Sequence, residues 1–142
     1  MAFLTTDSEI VSLLRRSRTI AVVGLSANPA RDSHRVAQYL LSRGYTVFPV
    51  NPTLTGVLGL KAFPDIAAIG HPVDIVDVFR RPEHLGQIVE DAIAIGARAV
   101  WGQFGVVDAA AAERAQAAGL MVVMDRCIKV EHHRLGMPRH VA

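Results

Sequence analysis

Apolar residues fall into short blocks of two kinds that alternate along this chain. Thr6-Asp7-Ser8-Glu9 has the form of a capping box. Ile10, Val11, Leu13 and Leu14 follow at helical spacing, and Arg15, Arg16 and Arg18 lie where cations suit the end of a helix dipole. This predicts a helix over 7–17. The next block, Thr19-Ile-Ala-Val-Val-Gly24, is continuous, apolar and β-branched, as in a strand covered on both faces. A second helix is expected over 33–43, where Val36, Ala37, Tyr39, Leu40 and Leu41 share helical spacing and Gly44 supplies a left-handed cap. The alternation then repeats. Strands are expected over 45–50, 73–79, 98–101 and 120–124, and helices over 82–95 and 107–118. Residues 51–72 read as loop, with one short helical turn around 65–68. The stretch from Asp125 onward is polar, and 137–142 are expected to be loose.

Strands alternating with helices of this length indicate βαβ units in a parallel sheet. The expected architecture is α/β: a doubly wound five-stranded sheet, order 3-2-1-4-5, with helices on both faces. The whole chain, 1–142, fits one domain by size.

Composition narrows the class. With 51% hydrophobic and 20% charged residues the chain can bury a core. No apolar run approaches the ~18 residues of a membrane span. The N-terminal MAFLTTDSEI lacks the cationic start of a secretory signal. The single cysteine, Cys127, excludes an internal disulfide framework and suits a reducing compartment, so a cytoplasmic location is expected. The formal charge of +2 is too balanced for a protein that mainly coats nucleic acid.

In a doubly wound sheet, ligands bind beyond the carboxyl ends of the strands. The loops expected there carry Gly24, Ser26, Arg31, Ser33 and His34; then Asn51 and Pro52; then Phe79, Arg80 and Arg81; then Trp101, Gln103 and Phe104; and last Cys127. Gly24 before a helix start suits a diphosphate, but G-x-G-x-x-G is incomplete because 26 and 29 are Ser and Pro. Asn51 stands where a dinucleotide site wants an acid for the ribose, which disfavours NAD. Arg31, Arg35, Arg80 and Arg81 suit a ligand with separated phosphates, or pair with Asp32, Asp77 or Glu83. His34 has no acid partner at a fixed spacing, and no catalytic constellation emerges. His132 and His133 are adjacent and do not face one another on a helix. With one cysteine besides, no metal site is expected.

Six segments carry a resemblance: IAVVGLS at 20–26, SHRVAQYLL at 33–41, GYTVFPVNP at 44–52, VDIVDVFRRP at 73–82, ARAVWGQFGVV at 97–107 and GLMVVMDRC at 119–127. In this order, and over nearly the whole chain, they resemble the small stand-alone coenzyme A-binding proteins, whose domain is related to the nucleotide-binding domain of succinyl-CoA synthetase. The resemblance implies a Rossmann-like fold binding coenzyme A or an acyl-CoA at the carboxyl edge of the sheet. It implies that Gly24 and Ser26 cradle the diphosphate, with Arg31, Ser33 and His34 as the wall beside it. It places Asn51 and Pro52 near the adenosine, and Phe79, Arg80 and Arg81 along the ligand. Thr53 and Ile128 depart from the pattern, which commonly has a basic residue and a proline there.

From the residues themselves, Gln103 is a candidate for the pantetheine amides and Cys127 for a mixed disulfide with the ligand thiol, favoured by Lys129 or Arg126. The expected function is non-catalytic binding of a small nucleotide ligand. Accessory action on acyl-CoA thioesters and NAD(P)-dependent oxidoreduction are the alternatives. A homodimer or protein partner is compatible with the sequence.

Overall fold

The computed structural model describes residues 6–140. Five strands form the main sheet: β1 (Thr19–Val23), β2 (Thr46–Val50), β5 (Ile75–Val78), β6 (Ala99–Gly102) and β7 (Met121–Val123). All neighbours are parallel, in the order β2-β1-β5-β6-β7. A small antiparallel hairpin, β3 (Gly56–Val57) and β4 (Leu60–Lys61), lies inside the stretch read as loop. Numbered over the five long strands alone, the order is 2-1-3-4-5. The outer place beside β2 is taken by a single parallel bridge, Val50 to Phe63. Counting Phe63 as a rudimentary third strand gives 3-2-1-4-5-6, which is the 3-2-1-4-5 pattern with one further strand, and the segment expected as third strand becomes the fourth. Its proline- and glycine-rich surroundings hold Phe63 to one rung, which is why no strand was legible there.

The helices divide between the faces. α1 (Asp7–Arg16), α2 (Asp32–Ser42) and α5 (Ile128–Arg134) cover one; α3 (Leu85–Ala94) and α4 (Ala109–Ala117) cover the other. Ile20 and Val22 enter the first core with Leu13, Leu40 and Trp101. Ala21 and Val23 enter the second with Val76, Val89 and Val122. Because both faces are dry, β1 shows no polar alternation. Thr6 caps α1 as expected, its hydroxyl accepting from the Glu9 N–H, but the Glu9 carboxylate accepts from that hydroxyl, and among the described residues no return bond to the Thr6 N–H is seen.

Two expectations about the C-terminal part are corrected. The polar stretch after Asp125 contains α5, and within the tail expected to be loose Met137 is buried and His140 half-buried, while Pro138 and Arg139 are exposed and 141–142 lie outside the described residues. Glu131 in α5 is buried, and its carboxylate accepts from Arg134 (2.8 Å) and Arg126 (2.6 Å). Arg134 also bonds Asp7 at 2.8 Å, tying α5 to α1. The Arg134 and Arg126 hydrogen bonds hold the Glu131 carboxyl below its usual range against the cost of burial. Met137 is buried, and the His140 N–H donates to the Arg43 carbonyl at 2.9 Å. Gly44, at φ +87°, lets that backbone approach: a Cβ there would run into the His140 carbonyl.

His132 is fully buried against Tyr39, whose hydroxyl lies 2.7 Å from its Nδ1. Burial, with Arg43, His140 and His133 nearby, pushes its pKa down to about 4, so the ring is neutral at neutral pH.

Candidate functional site

The carboxyl ends of the strands open into three adjoining clefts. At the first, β1 ends in Gly24 with φ +86°. Its N–H donates to the Val50 carbonyl at 2.9 Å, and a Cβ there would lie 2.7 Å from the Phe79 carbonyl oxygen. The chain leaving β5 passes directly over this residue, so both the conformation and the contact require glycine.

The loop beyond Gly24 is held by its own side chains. The Ser26 N–H donates to Ser33 Oγ at 2.9 Å, and the Asn28 N–H to Ser26 Oγ at 3.0 Å. His34 Nδ1 lies 2.9 Å from the Ser26 carbonyl, which can only accept, so Nδ1 carries the proton. Gly24, Ser26, Arg31, Ser33 and Phe79 line the first cleft, together with Ala30 and Asp32. No side chain caps α2 at Arg31, so the N-terminus of this 11-residue helix opens toward the cleft without a side-chain acceptor.

Asn51 is a clamp between loops. Its Nδ2 donates to the Leu25 carbonyl at 3.0 Å, while its Oδ1 accepts from Thr53 N (2.9 Å) and Thr53 Oγ1 (2.7 Å). Asn therefore does at this position what Asp cannot, because the Leu25 carbonyl needs a donor. Thr53, standing in place of a basic residue, completes the same turn. Asn51→Asp is expected to cost about 1–3 kcal/mol, since it sets a carboxylate against a carbonyl. Chemical denaturation of the two proteins side by side measures this.

The second cleft is apolar, lined by Val23, Val50, Pro52, Ile66 and Ile88, with Arg80, His84, Gln87 and Asp91 around it. His84, Gln87, Ile88 and Asp91 were not foreseen as site residues. Their i, i+3, i+4, i+7 spacing is the signal that puts them on one helical face. The Arg80 side chain runs past Gly24, and its Nη2 lies 3.3 Å from His84 Nε2. Arg80 thus joins this cleft to the first.

The third cleft shares Phe79 and Asp32 with the first, and adds Arg35, Val36, Gln103, Phe104, Cys127, Lys129 and Val130. Cys127 is buried at the N-cap of α5, and Gln103 Oε1 accepts from the Ile128 N–H at 3.1 Å. Trp101, by contrast, is fully buried with Nε1 donating to the Arg126 carbonyl, and belongs to the core.

The structure thus distributes Gly24, Ser26, Arg31, Ser33, Pro52, Phe79, Arg80, Gln103 and Cys127 over connected clefts. His34 and Asn51 lie behind them, holding the loops. Arg81 is exposed, pairs with Glu83 at 3.6 Å and lines none of the three clefts. Arg35 pairs with Asp32 at 3.9 Å. Asp77, the third carboxylate offered as an arginine partner, is fully buried in β5, and neither carboxylate oxygen has a partner. Near Cys127, Arg126 is paired with Glu131, and the Lys129 ammonium sits over the Tyr39 ring. Among the described residues, no helix is long and apolar enough to cross a membrane.

Parallel topology, two covered faces and clefts gathered over the strand ends define a doubly wound α/β domain of the kind that holds its ligand at that edge. The chain belongs to the CoA binding domain family, whose model matches residues 18–133. It is 44% identical over 125 residues to the uncharacterized protein YneT of Bacillus subtilis (strain 168), covering 88% of this chain and 93% of that protein. A solved structure of a hypothetical protein from Pyrococcus horikoshii OT3 superposes with a TM-score of 0.90 at 40% identity, over 95% of this chain and 96% of that one. The dinucleotide forming acetyl-coenzyme A synthetase 1 of Ca. Korarchaeum cryptofilum, in complex with phosphate and ADP, shares the fold at TM-score 0.67 and 24% identity. That match covers 79% of this chain and 27% of the synthetase.

Proposed function

We propose that this protein binds coenzyme A or an acyl-CoA across the carboxyl edge of its sheet, as a binding module rather than as a catalyst. The observation that carries this reading is the connected run of three clefts of different chemistry, in a chain of the CoA binding domain family. The uncapped start of α2, with Arg31 beside it, suits the diphosphate. The apolar cleft beyond Pro52 suits the adenine, with Arg80 between base and diphosphate for a phosphate oxygen. Phe79, Gln103 and Cys127 suit the pantetheine arm. NAD(P) is the weaker reading, because Asn51 spends its side chain on Leu25 and Thr53 and offers no acid to a ribose.

Calorimetric titration with CoA, 3′-dephospho-CoA and NADH tests this. CoA is expected to bind, and 3′-dephospho-CoA to bind more weakly by roughly tenfold, about the 1.4 kcal/mol of one modest charge-assisted contact. Preference for NADH, or no binding of CoA, overturns the reading.

A further inference from the structure

Phe104, Val107 and Val130 are the exposed large hydrophobic side chains among the described residues, and two of them face one cleft. Phe104 is 66% exposed on the loop after β6, and Val130 is 48% exposed on α5. They reach the third cleft from separate segments, with Cys127 and Val36 also in its lining. Neither is needed to complete a core, and solvent-facing apolar residues converging on one cleft mark a surface that an apolar group would cover. The cleft is continuous with the first through Phe79 and Asp32, so a ligand seated at Gly24 can extend into it. Arg35 and Lys129 also border it, but the Arg35 guanidinium is paired with Asp32 and the Lys129 ammonium lies over Tyr39. Both cations thus have a neighbour other than the cleft, although the Arg35–Asp32 pair is exposed and long at 3.9 Å, so an acidic acyl group belongs in the test.

We infer that this cleft selects acylated over free coenzyme A, and that an apolar acyl chain lies between Phe104 and Val130. The inference rests on the CoA-binding reading and adds the class of thioester. Burying a methylene is worth ~0.8 kcal/mol when complete, which is about fourfold in affinity. In a cleft open to solvent on one side, roughly twofold per added methylene is expected.

The test is calorimetric titration of the full chain with CoA, acetyl-, butyryl-, hexanoyl- and glutaryl-CoA, repeated with Phe104→Ser and Val130→Ser. Both positions are solvent-exposed, and far-UV circular dichroism checks that each variant is folded. The expected result is affinity rising from acetyl to hexanoyl, with the hexanoyl-to-CoA ratio falling at least threefold in either variant. Affinity independent of chain length overturns the inference and leaves CoA binding standing. Glutaryl-CoA binding tightest also overturns it, since the cleft would then serve Arg35 and Lys129. Failure of every ligand, CoA included, overturns the CoA-binding reading itself.

Discussion

Asp77→Asn is expected to stabilise the protein at neutral pH, by an amount that grows as the pH is raised. Asp77 sits mid-strand in β5, paired in register with Val22 on one side and Trp101 on the other. It is fully buried, and neither oxygen has a hydrogen-bond partner. Burial pushes its carboxyl well above the usual carboxylate range. The folded protein therefore holds a proton that the unfolded chain releases near pH 4. The stability belonging to this group is fully present below the unfolded value, and is lost as pH rises toward the folded one. The slope is about 1.4 kcal/mol per pH unit within that window.

His132 acts in the opposite sense. Its folded pKa of about 4 lies below that of the unfolded ring, so its contribution grows as pH rises through that interval. The two effects oppose one another wherever their pH windows overlap. Guanidinium denaturation of both proteins at pH 5.5, 7.0 and 8.5 gives the comparison. The stability difference is expected to widen by about 1 kcal/mol or more from the lowest to the highest pH. A difference that does not change with pH would mean that Asp77 is not a buried neutral acid.

Gly24→Ala is expected to cost both stability and ligand binding, while Gly96→Ala costs only the first. Both glycines have positive φ, +86° and +73°. That conformation alone costs an alanine about 1–2 kcal/mol. At Gly96 nothing lies within 4 Å of the added carbon. At Gly24 the carbon would sit 2.7 Å from the Phe79 carbonyl, a backbone atom that cannot swing aside as a side chain can. The exit of β5 must then move, and with it Phe79, which lines the first and third clefts, and Arg80, which lines the second. Gly24→Ala is expected to lose roughly 2 kcal/mol more than Gly96→Ala and to weaken CoA at least tenfold. Thermal denaturation and titration of the two variants measure both quantities. Equal losses in stability would show that the approach of Phe79 carries no energetic weight.

The sequence by itself determined the alternation of strands and helices, the two covered faces and the edge where a ligand would lie. These follow from periodicity and turn chemistry, which are local. The run from Thr19 to Val23 reads as a strand dry on both sides that ends at Gly24, whose left-handed conformation the fold then showed. Tertiary structure decided what local patterns do not contain. α5 was hidden because Glu131 reads as a solvent residue until Arg126 and Arg134 neutralise it from outside its own apolar spacing. Phe63 took the edge of β2 through one bridge, too short for any period to show. Asn51 and His34 became loop clamps, because the partners of a short polar side chain depend on which carbonyls the fold brings within 3 Å of it. Asp77 lost its expected arginine for the same reason: pairing is a matter of position in three dimensions, and β5 carried this carboxyl into the core while Arg80 and Arg81 stayed at the edge.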